Sequence, residues 1–496
     1  MSLLDDVSIV VTPNGYKSGV LYSVIPSSGA GDLEVVRGTA ATRVDEAGLV
    51  NYAEIIGSEE VTNGDFASDL TGWTGYGITS ATGGVATIGA SANSGIFQTI
   101  LTQGVTYTAT VNVTSYDGVG TAQFINNNGT NIYTITETGI QTFTFIHSIA
   151  DATLLLRGIS NALFSVSSVS VKEVTRDNVP RIDYSGGGCP HILAEPQRTN
   201  TLTYSEDFSQ SFWNQTTATV TSTTNTNPSG TSGTYSVERV TGSQLGASFS
   251  VTSGNDYTAS WYVRNISGTG AIIIKDTNNS TNNFTATSEW QRFSVTANAS
   301  SGTGRCYMQV PTINDEVEVW GAQFEEGSYA TSYIPTSGST VTRNQDQFSR
   351  DGISSLINST EGVLFVEMAA LANDGVFRII TLSDGGTTNR VSLIYNTSSN
   401  SIRVMVVSTS TVFDTSNSVT STLDFHKIAI KWKLNDFAVW IDGVEVATDT
   451  SGATPVGLDR IVFDVGNGSL DFFGKVKQLQ VYKTALSDTQ LAALTS

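Results

Sequence analysis

Forty-five acidic side chains, three histidines and two cysteines are the groups through which this 496-residue chain could make or break bonds. Acid–base cleavage of a glycosidic bond needs two carboxyl groups about 5 to 10 Å apart. With so many acids, nearness in sequence proves nothing, and the densest alternating run, Asp315-Glu316-Val317-Glu318, reads as a strand that closes a module. His147, His191 and His426 are scattered and have no metal-ligand spacing. Cys189-Pro190-His191 is too tight and too constrained by proline to serve as nucleophile and base. Cys189 and Cys306 cannot make a disulfide framework and read as two thiols. No G-x-S-x-G, phosphate-loop or dinucleotide fingerprint occurs, so the chain is expected not to be an enzyme.

Non-covalent recognition is the better-supported chemistry. Aromatic faces flanked by amides suit ligands that are apolar on one side and hydroxylated on the other. The last third of the chain offers Tyr395, Trp432, Phe437 and Trp440, with Asn389, Asn396, Asn435 and Asp436 in adjoining turns. The ligand-binding candidates are Tyr395, Asn396, Trp432, Asn435, Asp436 and Trp440, with the loop positions Asn435 and Asp436 ranked first. Trp432 and Trp440 flank a hairpin, and alternation requires at least one of them to face the core. For each residue taken singly, an ordinary role in making the fold is the competing explanation.

The elements that must position these groups are strands. Hydrophobic residues make up 39% and charged ones only 14%, the difference being filled by Ser, Thr, Asn and Gly in long alternating runs. That pattern predicts an all-β chain of tandem antiparallel sandwiches, divided into about three or four domains. A formal charge of −20 opposes nucleic-acid phosphates and anionic membranes, and no apolar run is long enough to insert in a bilayer. The amino terminus, with acids where a secretory signal needs basic residues, is not expected to be a leader.

Residues 1–58 hold two alternating runs around Pro13-Asn14-Gly15 and are too short for a core of their own, so they are expected to pack on something else or to act as an attachment arm. Residues 59–175 resemble residues 201–335, which with a linker make the second module, 201–350: Asp65-Phe66 matches Asp207-Phe208, Trp73 matches Trp213, and Tyr107 and Phe143 stand as far apart as Tyr257 and Phe293. Equal spacing suggests two jelly rolls whose intervening strands superpose without gaps. Residues 176–200, with three prolines and Gly186-Gly187-Gly188, read as an irregular connector between them. Residues 351–496 give seven or more short strands and a short terminal helix capped at Ser487-Asp488, a final sandwich.

Several of these strings carry resemblances. Asn63-Gly64-Asp65-Phe66 with Gly72-Trp73 is similar to the opening of jelly-roll carbohydrate-binding modules, and the second copy keeps Asp-Phe and Trp but lacks both glycines. Such modules often hold a structural Ca2+, which here would need oxygen ligands near Glu60, Asp65 and the closing strand. That ion is the one cofactor the resemblance leaves open. The strings ATRVDEAGL, VPRIDYSGGGCPHILAEPQRTN, YATSYIPT and STVTRNQD resemble a recurrent block in structural proteins of tailed bacteriophages, fibre or head-fibre type, and against that block residues 59–175 look like an insertion. Residues 351–496 resemble the concanavalin A-like, laminin-G-like sandwiches. Glycosidases of that fold carry their acids in an E-x-D-x-E strand, and Asp315–Glu318 lies in the wrong domain for it.

Together the resemblances imply a protein of the virion surface, a fibre or spike, that displays glycan-binding folds toward a host. Its implied partners are phage capsid or tail proteins, a host surface glycan and other copies of itself, most simply in a trimer. A capsid decoration protein with a structural role only and a polysaccharide depolymerase are the alternatives.

Overall fold

A computed structural model describes residues 6–126, 128–215, 218–239 and 244–496. Strands make up nearly every element of these residues, and the chain ends in the helix Asp488–Thr495. Two compact units emerge: Glu54–Thr175, and residues 1–53 together with 176–496.

The smaller unit is a sandwich. One sheet runs in the order Asn131–Ile135, Thr121–Asn126, Thr153–Ile159, Asn93–Thr99, Thr74–Tyr76; the other runs Gly139–Ile146, Thr106–Tyr116, Phe164–Thr175, Val85–Ile88, Thr79–Thr82. Strict alternation explains the long strand Thr106–Tyr116, in which Tyr107, Ala109, Val111 and Val113 are buried between sheets while threonines take the other face.

Within the larger unit a second sandwich repeats this order. Its sheets run Gln291–Asn298, Asp256–Ser267, Glu316–Glu326, Ser232–Arg239, Ala218–Thr226 and Thr281–Thr285, Ala271–Lys275, Thr303–Gln309, Leu245–Ser250. The small bridge Asn214–Gly246 stands where the first sandwich has Thr74–Tyr76. Local contacts repeat as well. Trp73 Nε1 donates to the Asn63 carbonyl at 3.1 Å, and Trp213 Nε1 donates to that of Tyr204 at 2.9 Å. The Thr102 and Thr252 amides donate to the hydroxyls of Tyr107 and Tyr257 at 2.8 and 2.9 Å.

The expected gap-free superposition fails at one place. Phe143 lies opposite Ala109, two residues after Tyr107, whereas Phe293 lies opposite Trp261, four after Tyr257. The hairpin has slipped by two residues, an even number that leaves every side chain on its own face of the sheet. Equal spacing in sequence hid a change of register.

The carboxy-terminal sandwich is not confined to residues 351–496. Its strands run Ser410–Ser418, Ser401–Ser408, Asn389–Tyr395, Arg378–Ser383, Arg460–Val462, Gln347–Arg350, Leu33–Val36, Val20–Ile25, Val7–Lys17, Gly474–Tyr482, Glu361–Ala370, His426–Lys433, Phe437–Ile441, Val444–Asp449. Three strands from the amino terminus therefore complete it. They bury Ile9, Val11, Leu21, Leu33 and Val35 in the same core as Leu364, Val404 and Trp432. Of the two expectations for this segment, packing on something else or an attachment arm, the strands show the first: its alternating apolar face is covered by this sandwich. Its turn also moves: Thr12–Gly15 bulge out of the first strand, and the reversal falls at Ser18-Gly19, where Gly19 adopts φ +78°. Residues 176–200 are more regular than expected, since Ile182–Asp183 pairs with His191–Ala194, His191–Ala194 with Gly474–Tyr482, and Arg198–Asn200 with Val341–Arg343.

Candidate functional site

The most unusual chemistry of the larger unit is a box of buried charge. Arg37, Arg181 and Arg343 and the acids Glu195 and Asp346 are each at most 3% exposed. Arg37 Nη1 bonds Asp346 Oδ1 at 2.7 Å, and Arg181 bridges Asp346 Oδ2 and Glu195 Oε2, the latter at 2.6 Å. Arg343 reaches the same Glu195 oxygen at 2.8 Å. The Ser332 hydroxyl accepts from both Arg181 and Arg343, at 2.7 and 2.8 Å. Burial alone would raise both carboxyls; Arg343 and Arg181 around Glu195, and Arg181 and Arg37 around Asp346, outweigh it and hold both below the ordinary carboxylate range. Arg181, Glu195, Ser332, Arg343 and Asp346 come from the strings VPRIDY, ILAEP, SYIP and VTRNQD, and Arg37 from RGTAATRV, so several of the strings singled out in the sequence clasp the unit together.

Above this box opens a cleft of about 1320 Å³. Its walls are the hairpin of Thr42–Val44 and Val50–Tyr52, the loop of Gly186 to Gly188, one sheet of the second sandwich, the segment 329–333, and Lys475 of the carboxy-terminal sandwich. The hairpin is pinned on two sides: the Val44 amide donates to Asp183 Oδ2 at 2.9 Å, and the Val50 amide to the Pro228 carbonyl at 2.9 Å. Alternation on the strand Asp256–Ser267 buries Trp261 and Val263 and turns Tyr262 and Arg264 toward the cleft.

Three of the half-buried aromatics that line it lie beside a guanidinium. Arg264 lies over the Trp290 ring at 5.0 Å, Arg292 over Tyr262 at 5.3 Å and Arg198 over Tyr329 at 5.7 Å. Burial pushes the Tyr329 hydroxyl up to about 12, so it stays a hydrogen-bond donor at any physiological pH. His191, beneath the cleft, is 1% exposed and lies 3.3 Å from Asp183. Burial lowers it to about 4 in spite of Asp183, with Lys475 and Lys477 acting in the same direction as burial.

The residues singled out from sequence lie elsewhere and do not converge. Trp432 is fully buried in the carboxy-terminal core, its Nε1 donating to the Asn358 carbonyl at 3.1 Å, and Tyr395 is 2% exposed in the same core. Trp440 packs on the opposite face of its strand with Val10, Phe365 and Leu491 under the terminal helix. None of the three presents its ring to a ligand: Trp432 and Tyr395 lie inside the sandwich, and Trp440 is covered because both faces of the strand Phe437–Ile441 are packed. Asn435, at φ +56°, accepts from the Gly452 amide at 3.0 Å and Asp436 pairs with Lys431 at 2.7 Å, which are turn-making roles. Asn396 sits in the separate turn between Asn389–Tyr395 and Ser401–Ser408, its amide donating to Ser416 at 3.3 Å.

Glu60 and Asp65 are not joined by further acids: among the described residues no three His, Cys, Asp or Glu side chains are grouped to hold a metal. Instead the Asn63 carboxamide ties the loop, donating to the carbonyls of Asp69 and Thr71 and accepting from the Ser68 amide. Glu318 accepts from Asn225 and Arg264, contacts that overcome the upward push of burial and hold it ionised. The cleft residues Trp290, Tyr262 and Tyr329 were missed, although the outward phase of the Tyr262-x-Arg264 alternation was the available signal.

Residues 364–492 match the family model of the Concanavalin A-like lectin/glucanases superfamily. The carboxy-terminal sandwich is a concanavalin A-like domain. Among solved structures the chain is similar to the CBM40 of the Ruminococcus gnavus IT-sialidase bound to α2,3-sialyllactose, at 15% identity and TM-score 0.25, covering 29% of this chain and 86% of that one. It is also similar to domain 4 of AbnA, a GH43 extracellular arabinanase from Geobacillus stearothermophilus in complex with arabinotriose, at 15% identity and TM-score 0.26, covering 34% of this chain and 82% of that one. Likenesses at this level place no residue. No curated protein matches the chain. Among the described residues no helix is long and apolar enough to cross a membrane.

Proposed function

We propose that this chain is a non-enzymatic glycan-binding protein of a virion surface, a fibre or spike, and that its ligand lies in the cleft over the buried charge box. The observation that carries the reading is the cleft itself: about 1320 Å³, larger than the roughly 300–1,000 Å³ of an ordinary small-molecule site, with Trp290, Tyr262 and Tyr329 beside guanidinium donors. Flat aromatic faces with fixed polar neighbours suit a chain of sugars better than a compact metabolite.

A binding role is favoured over hydrolysis by the state of the cleft's more buried acids, Glu46 and Glu289 being exposed. Glu195 is locked between two arginines, while Asp45 and Asp183 are engaged by backbone amides. A general acid needs a carboxyl whose proton is held near neutral pH, and the surroundings of Glu195 do the reverse. The virion assignment is supported by the block of phage-type strings, and oligomerisation, most simply as a trimer, goes with it. The second reading, a capsid decoration protein without a ligand, is favoured by one fact: those same strings build the interior clasp rather than a surface.

The test is a glycan array probed with the full chain and with Trp290→Ala. Wild type is expected to bind at least one class of oligosaccharide and the variant to bind it about tenfold or more weakly, with an unchanged far-ultraviolet spectrum. The same mixtures should release no reducing ends. Equal binding by both proteins, or product formation, overturns the assignment.

A further inference from the structure

If the cleft is the glycan site, its cations say what kind of glycan. Arg264 is paired with Glu318 at 2.5 Å, and Arg292 donates to the Thr331 carbonyl and the Ser260 hydroxyl at 2.6 and 2.9 Å. Arg43 and Lys475 also line the cleft, both half-buried. Among the described residues neither side chain enters an ion pair, and Arg43 Nε, sealed from solvent, has no hydrogen-bond partner. The acids that share the cavity do not answer them. Asp45 accepts from the Ala47 and Leu49 amides, Asp183 from the Val44 and Ser185 amides, and Glu195 belongs to the box. Glu46 and Glu289 are exposed. In a chain with a formal charge of −20, two half-buried cations without counter-ions in one concavity are out of keeping with the rest of the surface.

Their spacing follows from the strands between them. The Tyr184 amide donates to the Val44 carbonyl, Asp183 pairs with His191, and Leu193 pairs with Lys475. Ile182–Asp183 and His191–Ala194 thus stand between the strands that carry Arg43 and Lys475, which puts those strands roughly 14 Å apart at about 4.8 Å per spacing, before any offset along them. That separation favours two acids on different sugars over one shared carboxylate. We infer that the ligand is an acidic oligosaccharide, and that Arg43 and Lys475 each receive a carboxylate from a different sugar residue. This rests on the cleft being the glycan site.

The experiment titrates the full chain calorimetrically with hexagalacturonate and with a hyaluronan hexasaccharide, each against its carboxyl-reduced counterpart. At least one acidic probe should bind about tenfold or more tightly than its reduced form, as loss of charge-assisted hydrogen bonds implies. Arg43→Gln and Lys475→Gln should each weaken the acidic probe by a similar factor and leave the reduced one unchanged, while Arg43→Lys retains part of the preference. Equal affinity for acidic and reduced probes, with both still lost in Trp290→Ala, overturns the inference and leaves the cleft reading standing. Acidic-probe affinity undiminished in both glutamine variants also overturns it. Absence of binding by every probe, acidic and reduced, overturns this inference, while the cleft reading stands or falls with the array and Trp290→Ala.

Discussion

The two jelly rolls share a strand order, a tryptophan-to-carbonyl tether and a tyrosine that accepts an amide five residues upstream, yet they have been put to different uses. The first stands as a unit of its own, Glu54–Thr175. The second is built into the larger unit, and its sheet of Asp256–Ser267 and Gln291–Asn298 supplies Tyr262, Arg264 and Arg292 to the cleft. At the positions that match Tyr262 and Arg264 the first copy has Asn112 and Thr114. The fold was set by the inward face, which both copies keep; function was free to change on the outward face because core packing does not constrain it.

The sharpest way to break this comparison is through the buried box, which among the described residues has no counterpart in the smaller unit. Arg181→Met leaves Glu195 and Asp346 each short of a counter-charge, and losing one partner of a buried ion pair costs about 3–5 kcal/mol. Hydrogen exchange read by mass spectrometry should show lost protection across residues 7–53 and 176–496, with peptides of 54–175 unchanged. Equal loss in both units would mean that the clasp does not belong to one of them.

How much of this was legible in sequence divides along the same line. Alternation exposed the strands, and the paired strings Asp65-Phe66 and Asp207-Phe208 revealed the duplication, because both signals are local. What long-range pairing decides stayed hidden. Nothing in VSIVVTPNGYK says that Val7 will meet Tyr482, and nothing in the spacing of Phe143 and Phe293 records a two-residue slip. The candidate ligands failed for the same reason. Trp432, Tyr395 and Trp440 were chosen for what their rings can do, and whether a ring is free depends on a partner sheet or helix supplied by distant chain. The charge box was visible only as odd strings, since its five members lie as far apart as Arg37 and Asp346.

A milder perturbation is acid. His191 is lowered to about 4 by burial, so the folded larger unit resists its protonation while an unfolded histidine titrates near 6.5. Its contribution to stability is complete above about pH 6.5 and is lost as pH falls from there toward about 4, on the order of 2–3 kcal/mol. Glu195 and Asp346, held low, extend the loss below about pH 4 as the carboxylates of the unfolded chain take up protons. Denaturant midpoints measured between pH 7 and 4.5 should fall for the larger unit, and His191→Gln should flatten that slope. A slope unchanged by the substitution would assign the acid sensitivity to other groups.

The smallest effect should come from the largest deletion. Tyr52 and Arg176 lie at the two ends where the smaller unit leaves the larger one, and the Arg176 guanidinium stacks on the Tyr52 ring at 3.9 Å. The Arg37 carbonyl accepts from the Asn178 amide and the Arg37 amide donates to the Asn178 side chain at 2.8 Å, which anchors the return of the chain beside its departure. A loop whose ends are already held together costs little when shortened, since closure entropy grows only slowly with length. Replacing residues 54–175 by a short Gly-Ser linker should therefore change the stability of the remainder by less than about 1 kcal/mol, and glycan binding in the cleft should persist. The converse excision has no such prospect, because the second sandwich and its closing segment contribute Ser332 to the charge box and two walls of the cleft, the sheet and the segment 329–333. If the linker variant unfolds, the first jelly roll is a structural part of the larger unit and the difference between the two copies is one of surface chemistry alone.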